Sequence, residues 1–372
     1  QNSDAVGSLT LGYSGSPTGN LATASVGNYT ITPSALTLSS GSISNYTINY
    51  TAGDLTITPK AITVTAESKS KVYGSSDPVL TYQITLGSLL PGDVLIGSLA
   101  RSAGENVNIY PINQGTLTNS NYTITFVGAN FTITPRELTI TANNQNVPYG
   151  TPVASVTGAG TFTASGFVNG ESASVIGGSA TYTTTYTATT GAGTAGVTIT
   201  PVVTGFTATN YSFTPANGTV TISKANSTIT ATGTTTFTYT GAAQGPLSSD
   251  VTGSTGTVTY SYSGSGYGPS TTPPTNAGSY EVIATLPADA NYNGATSAPL
   301  AFTINKAVLT ITADDQTVAF GTAESTVTGA GTYTATGFVN NEDSSVIDGS
   351  ATYTTTYTAT TAAGTAGVSQ RR

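Results

Sequence analysis

Residues 55–66 read LTITPKAITVTA, and close variants of this stretch recur three more times along the chain. Apolar and polar residues alternate on both sides of a Pro or Lys, which is the pattern of two half-buried strands separated by a break. Proline has no backbone N–H to donate to a strand ladder, so Pro59 and Pro135 belong between strands. The other copies are FTITPRELTITA (131–142), VTISKANSTITA (220–231) and FTINKAVLTITA (302–313). The recurrence predicts a tandem array of β domains with almost no linker.

Cutting the chain at these junctions gives five sequence repeats. Within them, short alternating segments are separated by Gly, Asn and Pro turns, and no segment shows a sustained helical period. About seven short strands in a repeat of this size predict a β-sandwich. We therefore expect an all-β chain of sandwiches in series that forms an elongated rod. Three repeats are complete and the two at the ends are incomplete: 1–59 (incomplete), 60–135, 136–223, 224–305 and 306–372 (incomplete).

The incomplete last repeat is a copy of the third. Most positions of 138–197 recur in 309–368, and the word SATYTTTYTATT occurs at 179–190 and again 171 residues later at 350–361. Tyr182 and Tyr186 fall four positions apart, so an extended strand would place them on one face with Thr184 between them. The odd-numbered threonines of 181–187 would lie on the other face. We expect the tyrosine face to pack and the threonine face to meet water.

The composition argues against several classes of partner. Only 7% of the 372 residues are charged, with Lys+Arg 9 against Asp+Glu 17, and no basic cluster is present to neutralise phosphates. We expect no nucleic-acid binding, and no membrane insertion, because no run of about 18 apolar residues occurs. Cys and His are absent, so disulfides and Cys/His metal sites are excluded.

Catalysis is not expected either. Without His or Cys, the acid–base groups that remain are carboxylates, Lys and Tyr. The acidic pairs Asp314-Asp315 and Glu342-Asp343 become Asn143-Asn144 and Glu171-Ser172 in the duplicate repeat. Because the pairs are lost between two near-identical copies, the sequence predicts that the chain is not an enzyme.

We expect no cofactor, with calcium as the alternative. Acidic loops at domain junctions can bind Ca²⁺ through carboxylate, amide and carbonyl oxygens, although no EF-hand loop occurs here. The same residues could simply be solvated loop acids. The weak calcium candidates are Asn340, Glu342, Asp343 and Asp348.

Two short motifs recur about once per repeat. The first is an aromatic residue followed by Gly, which we interpret as a core aromatic and a residue that permits a left-handed backbone or a close chain approach. The second is Asn-Tyr, interpreted as a turn residue followed by a core anchor. The aromatic-Gly residues are Tyr73, Gly74, Tyr149, Gly150, Tyr239, Gly241, Phe320 and Gly321, and the Asn-Tyr pairs are 45–46, 121–122, 210–211 and 291–292.

The chain resembles a known family in these two motifs and in four longer stretches. The stretches are KVYGSSDPVLTYQITLGSLLPGD (71–93), SNYTITFVGANFTITP (120–135), YTGAAQGP (239–246) and PPTNAGSYEV (273–282). It resembles the MBG-type repeats (YGX type and relatives), which occur in tandem in large secreted bacterial surface proteins and adhesins, notably of the Bacteroidota. The resemblance implies an immunoglobulin-like extracellular repeat used as a stalk or adhesive segment. It carries no catalytic residue over to this chain.

The expected function is thus a structural stalk or fibre segment of a secreted, extracellular cell-surface adhesin, with neighbouring repeats of the same or a longer chain as partners. One alternative is a module that binds a surface glycan through Tyr260, Tyr262 and Tyr267. Another is a homopolymer in which the incomplete end repeats are completed by strands from another copy. The incomplete ends could equally mark a piece of a longer chain.

Overall fold

The computed structural model of the protein describes residues 3–15 and 17–371. Contacts divide the chain into two compact units, and the division runs through the third sequence repeat. The first unit comprises residues 1–143, 160–183 and 200–218, and the second comprises 144–159, 184–199 and 219–372. Nearly all regular structure in both units is β-strand, which confirms the predicted all-β class.

Residues 3–59 form a three-stranded antiparallel sheet in the first unit. Its order is β1-β2-β3, so β3 pairs with one neighbour only, with Tyr29 opposite Leu55. Most side chains of β1 are exposed. A single 3₁₀ turn, Ile43–Asn45, follows β2. The strands are β1 (Ala5–Tyr13), β2 (Gly27–Ser40) and β3 (Gly53–Ile57).

Residues 60–135 form two sheets that share one hydrophobic core. The strands are β4 (Lys60–Ala66), β5 (Lys69–Val72), β6 (Tyr82–Leu86), β7 (Ala100–Arg101), β8 (Asn108–Asn113), β9 (Tyr122–Val127) and β10 (Ala129–Thr134). The sheet orders are β6-β4-β9 and β5-β10-β8-β7. The last strand, β10, runs parallel to the first strand of its sheet, β5, with Ile133 opposite Lys71. Ile62, Val64 and Phe131 are among the core residues, and their alternation with exposed neighbours is what the sequence pattern predicts.

The third repeat continues with β11 (Arg136–Ala142), β12 (Gln145–Pro148), α1 (Val153–Gly158), β13 (Phe162–Ser165), β14 (Thr181–Thr184), β15 (Thr198–Val202), β16 (Tyr211–Ala216) and β17 (Gly218–Ser223), with a 3₁₀ turn at Ala173–Val175. The sheet β13-β11-β16 belongs to the first unit, where Leu138 and Ile140 extend the core described above. β12 pairs in parallel with β17, and their sheet has the order β12-β17-β15-β14.

Residues 224–305 form two sheets in the second unit around their own core. The strands are β18 (Thr228–Thr232), β19 (Thr236–Thr238), β20 (Ser248–Thr252), β21 (Thr259–Gly264), β22 (Tyr267–Ser270), β23 (Gly278–Leu286), β24 (Ala295–Thr296) and β25 (Leu300–Asn305). One sheet is β18-β20, and the other has the order β19-β25-β23-β21-β22 with β24 beside β23. The final strand β25 again lies parallel to an early strand, β19. Tyr262, Val282 and Ile304 are buried in this core.

Residues 306–371 contain fewer paired strands than their duplicate. The elements are β26 (Thr310–Ala313), α2 (Glu324–Gly329), β27 (Tyr333–Thr336), β28 (Thr354–Thr355) and β29 (Gln370–Arg371), with a 3₁₀ turn at Ser344–Val346. β26 pairs with β27, and β28 pairs with β29.

The structure contains two short helices that the sequence pattern did not indicate. α1 and its duplicate α2 each have six residues and one buried side chain, Val156 or Val327. No helix in the described part of the chain is long and apolar enough to cross a membrane. The alternation predicted for 181–187 is confirmed, since its odd-numbered threonines are exposed and Tyr186 is buried.

Candidate functional site: the contacts between successive repeats

The Tyr-Gly pair of the second repeat lies where that repeat meets the third. The Tyr73 ring packs edge-on against Tyr211, with 5.4 Å between ring centroids, and its hydroxyl donates a 3.0 Å hydrogen bond to Glu171 Oε1. Gly74 has a left-handed φ of +79°, and a Cβ atom there would lie 2.4 Å from Cγ2 of Val168. The glycine is therefore required twice, for its backbone conformation and for the close approach of the next repeat.

The fourth repeat meets the fifth in the same way. Tyr239 donates a 2.5 Å hydrogen bond to Glu342 Oε1, and this bond, with a smaller effect of burial, raises the pKa of the Tyr239 hydroxyl. Gly241 has a φ of +78°, and a Cβ atom there would lie 2.1 Å from Cβ of Asn340. Glu342 is the duplicate of Glu171, so the same loop, GFVNGE (166–171) or GFVNNE (337–342), receives the aromatic-Gly motif in both places.

The third repeat presents its Tyr149 to the fourth. The ring packs edge-on against Tyr292, with centroids 5.4 Å apart and planes at 78°, which reproduces the 5.4 Å and 79° of Tyr73 on Tyr211. Tyr211 and Tyr292 are both the tyrosine of an Asn-Tyr pair. The two motifs recognised in the sequence therefore contact each other across repeat boundaries.

The asparagine of the Asn-Tyr pair bonds to the preceding repeat at three boundaries. Its side-chain oxygen accepts a backbone N–H hydrogen bond from that repeat. The bonds are Val26 N–H to Asn121 (3.0 Å), Val107 N–H to Asn210 (2.9 Å) and Ala192 N–H to Asn291 (3.0 Å). Asn210, which is buried, also donates from Nδ2 to Asn106 Oδ1 at 3.0 Å.

The backbone of the same asparagines closes the contact from the other side. Each main-chain carbonyl accepts a hydrogen bond from the first or second residue of its own repeat. Lys60 N–H donates to Asn121 O and Arg136 N–H to Asn210 O at 3.0 Å, and Ala225 N–H donates to Asn291 O at 2.9 Å. One residue thus links the start of a repeat to the repeat before it.

The tyrosine of the pair positions the loop that receives the preceding repeat. Tyr211 donates to Glu171 Oε2 and accepts a 3.2 Å hydrogen bond from Val168 N–H. Burial, together with the bond to Glu171, raises the pKa of Tyr211. Because Glu171 accepts bonds from both Tyr73 and Tyr211, one carboxylate joins two repeats.

Two motif residues depart from the expected core role. Phe320 is 70% exposed and Tyr46 is 51% exposed, so neither fills a core. The duplicate of Phe320, Tyr149, packs on Tyr292 of the fourth repeat. Its neighbour Gly321 keeps the expected left-handed backbone, with a φ of +89° like Gly150 at +82°.

The calcium candidates are placed in separate roles. Glu342 and Asn340 belong to the repeat contact, and Asp343 accepts a 2.9 Å hydrogen bond from Ser345 N–H. Hydrogen bonds from Ser345 lower the pKa of Asp343. Asp348 is exposed on a loop. Among the residues the structure describes, no three acidic side chains are grouped as they would be around a metal ion.

The tyrosines proposed for glycan binding are core residues. Tyr262 is fully buried and donates to Pro246 O at 2.6 Å, so its predicted role on an exposed surface is wrong. Tyr260 is half-buried and bonds to Ser249 Oγ at 3.1 Å, and Tyr267 donates to Thr272 O at 2.7 Å. Aromatic residues at alternate strand positions are equally typical of a strand face in the core and of one at the surface. Their spacing therefore did not show whether these tyrosines are buried or exposed.

Sequence reasoning found the motifs but missed their partners. It assigned both motifs to the interior of a single repeat, whereas Glu171, Val168 and Asn210 form contacts between repeats. One signal was present. Glu171 is kept as Glu342 in the duplicate although the residue that follows it changes from Ser to Asp.

Residues 62–132 match the family model of the MBG domain (YGX type). The matched segment spans both sheets of the second repeat and includes Tyr73 and Gly74, the residues that give the motif its contact with the third repeat. None of the curated proteins compared with the chain matches it significantly. The similarity to this family therefore concerns residues 62–132.

Proposed function

We propose that this chain is a structural segment of the stalk or fibre of a secreted bacterial cell-surface adhesin. Its role is mechanical, namely to hold an adhesive region away from the cell surface. The MBG domain at 62–132 supports a surface repeat module of this kind. We further propose that the tandem repeats are immunoglobulin-like and form an elongated rod outside the cell.

The observation that carries the proposal is the repetition of one contact at successive repeat boundaries. A stalk needs joints that resist bending, and a joint resists bending when its backbone groups are already hydrogen-bonded across it. An amide N–H that loses its partner in a partly buried site costs about 1–3 kcal/mol. The three asparagine bonds to Val26, Val107 and Ala192 each impose such a cost on opening a joint.

The short connection between the second and third repeats also favours a stiff stalk. Strand β10 ends at Thr134 and β11 begins at Arg136, which leaves Pro135 alone between two repeats. Proline fixes its own φ, and it restricts the residue before it. A connection of this length cannot serve as a flexible linker.

Small-angle X-ray scattering of the whole chain tests the proposal. A compact globule of this length would have a radius of gyration of about 21 Å, whereas a rod of about 180 Å would have one of about 50 Å. We expect a value near the larger figure, unchanged when calcium is added or chelated. Replacing the three joint asparagines together (Asn121→Ala, Asn210→Ala and Asn291→Ala) should lower it by loosening the joints.

Asn45→Ala provides the matched control. Asn45 belongs to the same Asn-Tyr motif but is exposed, and it should leave the scattering unchanged. A value near 21 Å for the unaltered chain would overturn the stalk. A large value that the triple replacement does not change would show that the asparagine contacts are not what stiffens it.

A further inference from the structure

Strand β9 (Tyr122–Val127) is an open edge of the sheet β6-β4-β9 in the second repeat. In the described part of the chain β9 pairs with β4 alone. Its side chains alternate, so that Thr123, Thr125 and Val127 are exposed and the residues between them pack inward. The strand therefore reaches the surface along its whole length.

The backbone groups of Ile124 and Phe126 point away from β4. Lys60 N–H donates to Asn121 O at 3.0 Å at the start of the parallel ladder between β4 and β9. A parallel ladder uses every second residue of each strand, so the odd-numbered residues of β9 bond to β4. The N–H and C=O groups of Ile124 and Phe126 are thus directed to the open edge, where they form a template for another strand.

The equivalent edge of the third repeat is protected, and that of β9 is not. β16 (Tyr211–Ala216) occupies the same place, parallel to the first strand of its repeat and at the edge of the sheet β13-β11-β16. Its sequence YSFTPA aligns with YTITFV of β9, so Pro215 stands where β9 has Phe126. Proline removes the N–H that an added strand would need, and natural edge strands use it for this purpose.

Other edge strands of the complete repeats carry protective features of their own. Natural sheets blunt their edges with charged side chains or proline, or with a bulge. The features here are Lys69 and Lys71 in β5, a bulge in the pairing of β6, Pro148 in β12, Asp250 in β20 and Pro269 in β22. β9 has six residues without a charge, a proline, a glycine or a bulge. Its edge is therefore free to pair.

The free groups of β9 complement a second β9 in the antiparallel orientation. In an antiparallel ladder, residues opposite each other exchange both N–H···O bonds at every second position. When Ile124 lies opposite Phe126 of a second copy, the symmetry of the pair places Phe126 opposite the second copy's Ile124. Each of these two pairs forms two hydrogen bonds, and all of them use groups that face the open edge in the single chain.

Two observations select this register. A pairing centred one residue earlier would need the N–H of Tyr122, which already donates to Asn119 O at 3.0 Å. A pairing centred one residue later would extend past Val127, where β9 ends. The pairing centred on Thr125 uses only free groups within the strand. It places Thr125 opposite its own copy and Thr123 opposite Val127.

We propose that β9 is a dimerisation edge, which pairs antiparallel with β9 of a second copy of this chain about a two-fold axis at Thr125. The contact is isologous, because both copies contribute the same strand. The two sheets join into one with the order β6-β4-β9-β9-β4-β6, and the addition of a strand to a sheet edge is a common mode of protein recognition. This pairing does not depend on the proposed stalk function.

The side chains of β9 are compatible with this pairing on both faces. On the outer face Thr123 covers Val127, which is 45% exposed in the single chain. On the inner face Ile124 lies beside Phe126 of the other copy, and cross-strand pairs of aromatic and β-branched residues stabilise a sheet. A two-fold contact brings like residues together, so a charge near its centre would oppose it, and β9 carries none.

Cysteine cross-linking tests the pairing, because the chain has no native Cys. Thr125→Cys places the thiol on the two-fold axis, opposite the same residue of the other copy. Residues in a non-hydrogen-bonded antiparallel pair have Cα atoms about 4.5 Å apart, within the range of a disulfide. Thr214→Cys is the matched control, since Thr214 is the exposed equivalent residue of β16. Under mild oxidation we expect the Thr125→Cys chain to form its disulfide-linked dimer about tenfold faster or more.

Two replacements of Phe126 separate the edge hydrogen bonds from side-chain packing. Phe126→Ala and Phe126→Pro both remove the aromatic ring, but only proline removes the N–H, which points away from β4. In the Thr125→Cys chain, Phe126→Ala should keep most of the fast cross-linking, and Phe126→Pro should reduce it to the Thr214→Cys rate. Circular dichroism checks that both chains keep their sheets, as β16 does with proline at the equivalent position.

Thr125→Lys tests the dimer without touching the core, because Thr125 is exposed. Two lysines opposite each other repel. In sedimentation velocity the unaltered chain should shift from monomer to dimer as its concentration rises. The Thr125→Lys chain should stay monomeric, and Thr214→Lys should behave as the unaltered chain does.

Several results would overturn the proposal. One is a cross-linking rate for Thr125→Cys no higher than that for Thr214→Cys. Another is an equal loss of cross-linking in the two Phe126 variants with unchanged circular dichroism, because the edge N–H would then have no role. A chain that stays monomeric at every concentration would also overturn it, as would a dimer that Thr125→Lys leaves unchanged, since that dimer would form through another surface.

Discussion

Asn210 uses its side chain and its backbone in two different repeats. Its carbonyl oxygen accepts from Arg136 at the start of its own repeat, its Oδ1 accepts from Val107, and its Nδ2 donates to Asn106. An aspartate would keep the acceptor but lose the Nδ2 donor and place a charge in a buried site. The carboxamide is therefore the group that suits this position.

Asn210→Ala should uncover the amide of Val107. That N–H would lose its acceptor, and its local opening free energy should fall by about 1–3 kcal/mol, which corresponds to exchange that is roughly fivefold to 150-fold faster. Hydrogen–deuterium exchange resolved at Val107 measures this effect. Asn291→Ala should do the same to the amide of Ala192, which is bonded in the same way.

Two replacements provide controls for this exchange experiment. Asn210→Asp keeps an acceptor oxygen and should leave Val107 largely protected. Asn45→Ala should change neither amide, because Val107 and Ala192 donate to Asn210 and Asn291 and not to Asn45. Equal exchange at Val107 in the alanine variant and the unaltered chain would contradict the assignment of the asparagine bond as the source of protection.

Four charged residues of the second repeat form a closed network. Lys71 bonds to Asp77 (2.6 Å) and Glu105 (2.5 Å), and Arg101 bonds to Asp77 (2.6 Å) and Glu105 (2.5 Å). The hydrogen bond from Arg101, then that from Lys71, lowers the pKa of Asp77. The bonds from Lys71 and Arg101 lower the pKa of Glu105. Carboxylates with lowered pKa values stabilise the folded state above their unfolded pKa of about 4 and lose this effect as the pH falls through the folded value.

Lys71→Met should raise the pKa of Glu105 toward its usual value and flatten the acid side of the stability curve below about pH 4. The effect on stability should be small, since both carboxylates are partly exposed and solvent screens them. Carboxyl ¹³C NMR titration measures the pKa directly. Lys69→Met is the control, because Lys69 contacts Glu67, whose pKa of about 2 depends first on hydrogen bonds from Thr81 and Gln83. An unchanged Glu105 pKa in Lys71→Met would contradict the network.

At the scale of elements, the sequence predicted strands well and helices poorly. The alternation around Ile133 and Ile222 identified β10 and β17, because a strand with one buried face repeats every two residues. The helix α1 has six residues, too few to establish a 3.6-residue period, and it holds one buried side chain, Val156. Its sequence, VASVTG, contains β-branched residues that favour strands. Tertiary packing decides its conformation, and a local pattern cannot show that.

The duplicated repeat offers a matched pair of glycines that separates backbone strain from steric contact. Gly178 and Gly349 correspond in sequence and have φ values of +90° and +91°. A Cβ atom on Gly178 would lie 2.1 Å from Gly205 O, whereas one on Gly349 meets nothing within 4 Å. Both alanine variants impose the left-handed penalty of about 1–2 kcal/mol, and only Gly178→Ala adds a clash with backbone.

Gly178→Ala should therefore destabilise its repeat by clearly more than Gly349→Ala does. The difference should exceed 1 kcal/mol, because the backbone carbonyl cannot move without disturbing the bridge between Gly177 and Thr207. Calorimetry of each variant measures the shift of the affected transition. Equal shifts would mean that the chain near Gly205 relaxes enough to accept a methyl group.

At the scale of the molecule, the sequence predicts a series of repeats but does not indicate the contacts between them. The motifs recur because similar contacts form between successive repeats. Recurrence alone, however, cannot distinguish a residue of the core from a residue that contacts the next repeat. Tyr73 is buried in a core and also bonded to the next repeat, so it satisfies both interpretations. The two interpretations are distinguished only by the contact in space between the Tyr-Gly motif and the Asn-Tyr motif. Tyr73 and Tyr211 lie 138 positions apart, and nothing in the sequence indicates that they are in contact.

Hydrogen exchange in the unaltered chain should distinguish the two copies of the duplicated repeat. The amide of Tyr149 donates to Ser223 O and that of Gly193 to Ile222 O, so both are bonded to β17 and should be protected. The described residues 306–371 contain no counterpart of β17, so the corresponding amides of Phe320 and Gly364 should exchange faster. Mass spectrometry or NMR resolved at these four amides measures the difference. Equal protection of the two copies would contradict the assignment of β17 as the source of protection.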